Sequence, residues 1–331
     1  MKTIIQKTGL SLFLFASLSA GNITKWSILD SLNGKFYKNG EIFTGSVVAK
    51  LESGKMEGEF KDGLRHGLWQ TFNLTGEPLL KGNYINGKKD GIWEQWYENM
   101  EKELIANFNQ DEYHGEYNEW YANGKEAIAA TYVNGFEDGK YMEWHVNGRI
   151  SEIGHYDKGI KVGKYELFWE NGRKKMIAFF SKDEYQGKML MWHVNGKKAI
   201  AATYVNGLEN GKYMEWYENG KKAVRINYVN GIIKSNRSVY GKYEEWHENG
   251  KKSLIIYYKD GQENGTWEQW YENGKREMTI EYVNGVAWGK AKFWFEDGTL
   301  QGEGIIKYEI PGGGWLLEEP EGEKRFISGD E

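Results

Sequence analysis

Apolar residues along this chain alternate with polar ones over short stretches, and the stretches themselves return at a fixed distance. In Lys198–Val205 (KAIAATYV), Ile200, Ala202 and Tyr204 fall on every second position, the period of a β-strand that turns one face toward a packed layer. Counted from a leading glycine as offset 0, offset 13 is mostly Ile, Leu or Val (Leu80, Leu104, Ile128, Ile200, Val224, Leu254), offset 15 is often Gly, Ala or Ile, and offset 17 is aromatic in nine copies. The leading glycines are Gly67, Gly91, Gly115, Gly139, Gly163, Gly187, Gly211, Gly241, Gly265 and Gly289, so every step is 24 residues except one of 30. A period in this range marks a repeat array rather than a core assembled from distant parts of the chain.

Two Asn-Gly-type turns punctuate each copy, one at offsets 8 and 9 (Asn123-Gly124, Asn219-Gly220) and one at 19 and 20 (Asn86-Gly87, Asn206-Gly207). Read as two-residue type I′ loops, they predict two antiparallel strands per copy. Offsets that sum to 17 then pair within a hairpin, and offsets that sum to 39 pair across copies. The aromatic at offset 2 (Trp93, Tyr117, Tyr141, Tyr165, Tyr213, Tyr243, Trp267) faces the small residue at offset 15, predicting a stripe of rings over small residues. Steps of 24 and 30 are both even, and so is the step of 22 from a further copy at Gly45, so the packed face is conserved from copy to copy. The additional residues around Ile232 to Tyr240 are expected to loop out on the rim.

Offset 5 is aromatic in all ten copies: Phe72, Trp96, Trp120, Trp144, Phe168, Trp192, Trp216, Trp246, Trp270 and Trp294. Strict alternation places it opposite offset 2. Either a bulge in the first strand brings both sets of rings to one core, or a single-layer sheet carries aromatics on both faces. The eight Trp form the candidate interaction surface, since evenly spaced indoles suit an extended protein partner or a glycan; packing against the next copy is the competing use.

Composition narrows the reading. Three prolines, 15 Trp, 22 Tyr and 43 Gly describe strands and tight turns in a chain too aromatic for disorder. The net charge of −5 comes with Lys and Glu interspersed, so there is no basic stripe for nucleic acid or an anionic membrane. Lys2 and Lys7 ahead of the apolar run Leu10 to Ala20 read as an export signal over residues 1–20, too short to span a bilayer. A buried helix is the alternative. Export places the chain in the periplasm, at the cell surface or outside the cell, with no membrane span after signal removal; an unprocessed N-terminus would leave it cytoplasmic. The absence of cysteine removes disulfides, thiolate metal sites, a Cys nucleophile and a Cys-linked lipid anchor.

No residue constellation points to catalysis. His145, His193 and His247 share offset 6 with Tyr97, Tyr121, Trp169, Tyr217 and Phe295, which reads as a flat ring rather than a base or ligand. His66, His114 and His155 complete the histidines, and no clustered spacing suggests zinc. Carboxylates at offsets 3 and 4 (Glu94, Glu119, Glu143, Glu166, Glu215, Glu244, Glu245, Glu268) lie near the Lys of offsets 1, 10 and 11. They read as a solvated face whose cross-strand pairs contribute about 0.2 to 1 kcal/mol each. No phosphate-binding glycine motif occurs, and Gly312-Gly313-Gly314 reads as a flexible connection. The expectation is therefore no enzyme, no cofactor and no metal.

The phrase G-K-Y-x-E-W-Y-x-N-G-K-K, followed by Y-V-N-G, as in Gly211 to Gly231, resembles the variant MORN repeat of bacteria and the YwqK-like antitoxin-component proteins built from it. The resemblance covers about Gly34 to Gly298. It implies elongated sheets of successive antiparallel hairpins used as scaffolds, and it carries no catalytic residue across. The expected architecture is an all-β, MORN-like single-sheet solenoid on the order of 100 Å long, at about 4.8 Å per strand. It comprises a cap over residues 21–44, about eleven hairpin repeats over 45–300, and a second cap with an acidic, partly disordered tail over 301–331. The expected role is an exported, non-enzymatic scaffold or protein-interaction module at the bacterial envelope. The alternatives are neutralisation of a toxin, as the resemblance implies, and glycan binding through the Trp ladder. The sequence does not fix the partner or the oligomeric state.

Overall fold

The computed structural model describes residues 29–233, 240–309, 314–318 and 324–328. The proposed export signal at residues 1–20 lies outside them, as do residues 234–239 of the longer connection. The described residues contain strands and turns and no helix. They divide into two compact units, one ending at Phe136 and one beginning at Glu137.

In the first unit the strands from Gly45–Leu51 to Glu126–Val133 pair in chain order, each antiparallel to the one before. The second unit does the same, through Lys324–Ser328. Among the described residues the first and last strands of neither unit pair with each other, so each is an open single sheet of hairpins. A three-stranded sheet, Leu29–Leu32, Lys35–Lys38 and Glu41–Ile42, lies at the start of the first unit. Phe36 N–H donates to Gly63 O and Gly63 N–H to Phe43 O, both at 2.8 Å, which sets the Phe36 and Phe43 rings 4.7 and 5.8 Å from that of Phe60. At the other end, Gly314 opens a strand rather than a flexible connection, and Lys324–Ser328 within the acidic tail pairs with it.

The two Asn-Gly turns are different structures. At offsets 19 and 20 both residues have positive φ, 50° and 84° at Asn86-Gly87 and 49° and 75° at Asn206-Gly207, as a type I′ turn requires. At offsets 8 and 9 only the glycine does, with Gly220 at 87°. There Gly220 N–H donates to Tyr217 O and Tyr217 N–H to Lys221 O, so the loop has three residues, Glu218, Asn219 and Gly220. The Asn219 side chain accepts from Lys221 N–H at 2.8 Å, closing the turn from inside. This corrects the two-residue reading of that loop, and it moves the register. Offsets sum to 17 from Gly211↔Tyr228 to Glu215↔Val224 and then to 16 at Trp216↔Lys222. The residue at offset 12 on the return strand is the extra one, a β-bulge.

A second irregularity surrounds the leading glycine. Next to the type I′ turn the sum is 39, as in Tyr113↔Phe108, but beyond the glycine it is 41, as in Tyr117↔Ala106. Two extra residues on the first strand account for the change, and Gly115 sits among them at φ 107°, a backbone that side-chain-bearing residues avoid. That requirement explains the glycine's recurrence. Two is even, so the faces are preserved. The same register, Ile226↔Tyr243 and Val224↔Glu245, holds across the longer connection.

Offsets 2, 4, 13, 15 and 17 thereby share an inner face. In the first unit Phe60, Trp69, Tyr84, Trp93 and Phe108 are buried in one cluster, with successive rings edge to face at 5.0 to 6.1 Å. Such pairs contribute about 0.5 to 1.5 kcal/mol each beyond area burial. The ring at offset 2 lies flat on the offset 15 residue of the preceding copy. A Cβ on Gly82 would come within 2.1 Å of the Trp93 indole, and one on Gly58 within 2.3 Å of Trp69. Lying this close, each indole N–H reaches a main-chain carbonyl, Trp69 to Glu59 O at 3.1 Å and Trp93 to Asn83 O at 3.2 Å. Where offset 15 is Ile256, the Trp267 that follows it has a buried indole N–H with no partner.

Size matching across copies sets one test. Gly82→Ala is expected to cost about 1 to 3 kcal/mol by overpacking, measured as a fall in the denaturant midpoint. Adding Trp93→Tyr, which recreates the Ala106 and Tyr117 pairing of the next copy, restores most of the loss; equal instability of single and double variants would contradict the size match.

Candidate interaction faces

The bulge at offset 12 lies on the return strand, so the first strand alternates without interruption from offset 2 to offset 5. Offset 5 therefore points away from the inner stripe. In the first unit Trp96 and Trp120, and in the second Trp144, Trp192, Trp216, Trp246, Trp270 and Trp294, are all partly exposed. None belongs to a buried cluster. Of the two arrangements left open by the sequence, the sheet carries aromatics on both faces. The bulge also turns offset 11 outward, and its lysines lie over the next copy's indole: Lys198 5.9 Å from Trp216, and Lys222 5.6 Å from Trp246. At such partly exposed positions a cation over a ring contributes about 0.5 to 1 kcal/mol.

The carboxylates at offsets 3 and 4 separate by face. Those at offset 3 are outer and paired: Glu166 with Lys164 at 2.9 Å and Lys174 at 3.1 Å, Glu268 with Arg276 at 3.2 Å. Glu244, the most enclosed at 5% exposure, meets Lys242, Arg225 and Lys252. Lysine bonds and charges hold the Glu166 carboxyl below its ordinary range against the opposing effect of burial. Those at offset 4 are inner and accept from the offset 2 tyrosine of the same strand: Glu143 from Tyr141 at 3.2 Å, and likewise Glu119, Glu215 and Glu245 from Tyr117, Tyr213 and Tyr243. Burial first, and then the neighbouring carboxylate, raises all four tyrosines.

Offset 6 is more than a flat ring. Its polar edge donates to the offset 5 carbonyl of the next copy: Tyr97 to Trp120 O at 2.8 Å, Trp169 to Trp192 O at 3.1 Å, Tyr217 to Trp246 O and Tyr271 to Trp294 O at 2.8 Å. His145, His193 and His247 make the same bond through Nε2 at 2.7 to 3.0 Å. A carbonyl only accepts, so Nε2 carries the hydrogen. Tyr, Trp and His interchange here because each holds a donor at the end of a ring. One step further along, the offset 8 Asn donates to the next copy's offset 7 carbonyl, as Asn195 does to Glu218 O at 2.8 Å. At the opposite edge the offset 20 N–H reaches back to the preceding copy, as Gly207 does to Tyr185 O at 3.0 Å. Both edges of each sheet are tied from copy to copy.

One position breaks the repetition. Offset 13, apolar in the other copies cited, is Glu152 in the fourth. Its carboxylate accepts from Tyr165 O–H, and Lys161 Nζ donates to the same hydroxyl at 2.8 Å. Burial raises the Glu152 carboxyl above its ordinary value of 4.5, against the lowering effects of Tyr165 and Lys161, and Glu143 raises it further. Tyr156 is pushed up to about 12, first by burial and then by Glu152. The departure from Ile, Leu or Val is visible in the sequence, yet it stands alone there among acidic residues that are common elsewhere. Among the described residues no His, Asp or Glu group is arranged to hold a metal, and no helix is long and apolar enough to cross a membrane.

Residues 209–230, 240–260 and 263–284 match the family model of the MORN repeat variant. No curated protein matches the chain. Among solved structures it is similar to one described as the crystal structure of TcdB2-TccC3-Cdc42, at 9% identity over 89% of this chain and 18% of that one, with a TM-score of 0.19. A second, described as TcdB2-TccC3-TEV, is 10% identical over 88% of this chain and 17% of that one, with a TM-score of 0.18. The chain thus spans less than a fifth of either matched chain.

The raised Glu152 carboxyl has a pH consequence. Its folded value lies above its unfolded one, so its contribution is fully present below the ordinary carboxylate value and is lost as pH rises through the folded value. Glu152→Gln is therefore expected to gain on the natural protein between about pH 4 and about pH 7, read as the difference in thermal midpoint at the two pH values. A constant difference would show that Glu152 titrates like an exposed carboxylate, and a shrinking one that its folded value is lowered; either would contradict the account.

Proposed function

We propose that this protein is a non-enzymatic repeat scaffold that holds a partner protein against the outer face of its sheets and works outside the bacterial cytoplasm. The observation that carries this reading is the set of partly exposed tryptophans at offset 5, each left out of the aromatic core, with lysines over Trp216 and Trp246. Rings of this kind contribute disproportionately to protein interfaces. The MORN-variant match over three copies supports an interaction role. Repetition argues against catalysis, since copies present similar groups where an enzyme needs one special constellation. Export rests on Lys2 and Lys7 ahead of the apolar run Leu10 to Ala20.

Affinity capture from cells of the source organism, with the natural chain and with Trp192→Ala plus Trp216→Ala, tests the reading. The partner retained by the natural chain is expected to be lost about tenfold or more by the variant, with an unchanged thermal midpoint. Unfolding of the variant would assign the rings to stability, and equal retention would move the binding face elsewhere. N-terminal sequencing and cell fractionation test export: an intact Met1 in the cytoplasm would overturn it and favour the toxin-neutralising alternative.

A further inference from the structure

The second unit carries a groove near the three-residue loops, lined by Leu254 and Gln269 of the inner face and also by Trp246 and Trp270, whose carbonyls hold the offset 6 rings. It encloses about 600 Å³, and Tyr217, His247 and Tyr271 stand along it with Glu245, Glu277 and Glu296. Neither Lys nor Arg lines it. The lysines at the loops beside it are committed elsewhere: Lys251 and Lys275 donate to the main-chain oxygens of Asn273 and Asp297. Glu245 already accepts from Tyr243, whereas no ion pair among the described residues engages Glu277 or Glu296. Both raise the Tyr271 hydroxyl, after burial, which places their charge at the ring. The polar ends of the three rings are held by carbonyls of Trp246, Trp270 and Trp294, so the ring faces are fixed in position rather than free to turn.

We propose that this groove binds a basic, extended segment of a partner protein, with cationic side chains seated between successive offset 6 rings and the carboxylates beside them. The pairing is physical: a guanidinium stacks on an aromatic face and forks to a carboxylate, and the groove supplies both with no cation of its own. The spacing specifies the segment further. Successive rings stand two strands apart, about 10 Å at about 4.8 Å per strand. A polyproline II segment advances about 9 Å in its three-residue turn, placing every third side chain on one side. An extended β-segment repeats its side chains after about 7 Å and falls out of step. The fitted segment carries Arg or Lys at every third position.

The test uses the full chain and two labelled nonapeptides of the same composition, one with arginine at every third position among prolines and one with its three arginines adjacent. Fluorescence anisotropy is expected to show saturable binding of the spaced peptide, weaker binding of the clustered one, and a loss of about tenfold for Glu277→Gln with Glu296→Gln. Glu268→Gln, on the outer face, is expected to change affinity less than about twofold, and Trp192→Ala with Trp216→Ala to leave it intact, so this site and the outer-face reading fail separately. Unchanged circular dichroism and thermal midpoint establish that the variants fold. Absence of saturable binding, equal affinity for the two peptides, or an equal loss with Glu268→Gln would overturn the proposal.

Discussion

Alternation of side chains across a strand is the constraint on which the rest of this structure depends. A single sheet has one chance per residue to choose a face, and any uncompensated odd shift would expose the aromatic stripe. The two extra residues at the leading glycine leave the faces unchanged. The single extra residue at offset 12 is odd, and it reconciles the three-residue loop with the register of the remaining hairpin. Its side effect is to turn the offset 11 lysines outward, where they meet the offset 3 carboxylates and the offset 5 indoles. The inner face thus keeps rings and small residues, and the outer face gathers charge around partly exposed tryptophan.

Stability within each unit then comes from nearest neighbours. A ring at offset 2 lies on the offset 15 residue of the copy before it, and the two sizes trade against each other: Gly82 under Trp93, Ala106 under Tyr117, Ile280 beside Ala291. Ring donors at offset 6 and amides at offset 8 tie one edge, and main-chain bonds at the type I′ turns tie the other. Interactions of this kind make stability a sum over copies and junctions. They also present the same few groups again and again, which suits a surface read along its length better than a single reactive centre.

Much of this was legible before the structure. The even steps between leading glycines, the aromatic at offset 17 and the positive-φ demand of Asn206-Gly207 specify antiparallel hairpins with a constant inner face. The difference between the two Asn-Gly turns was hidden, because one dipeptide serves both a two-residue I′ loop and the end of a three-residue loop, and only the hydrogen bonding of Tyr217 with Gly220 and Lys221 separates them. Counting along the first strand places Trp216 opposite Tyr213, and that placement holds because the extra residue, at offset 12, falls on the return strand. The donor role of offset 6 was available in principle, since Phe295, at the last copy, is the ring without a donor. The use of the ring edge depends on a carbonyl one copy away, which no single motif contains. Glu152 was visible as an acid at an apolar offset, but its burial and its bond to Tyr165 follow from packing against the next copy.

The central claim is that aromatics at offsets 2 and 5 occupy opposite faces, with Trp69, Trp93, Tyr117 and Tyr165 buried on the inner one and the offset 5 tryptophans partly exposed on the other. Hydroxyl-radical footprinting of the folded chain, read residue by residue by mass spectrometry, tests it most directly. Trp69 and Trp93, at 3% and 2% exposure, are expected to oxidise far more slowly than Trp96, Trp120, Trp192 and Trp216. Equal rates for the two sets, or protection of the offset 5 tryptophans in the isolated protein, would contradict the account.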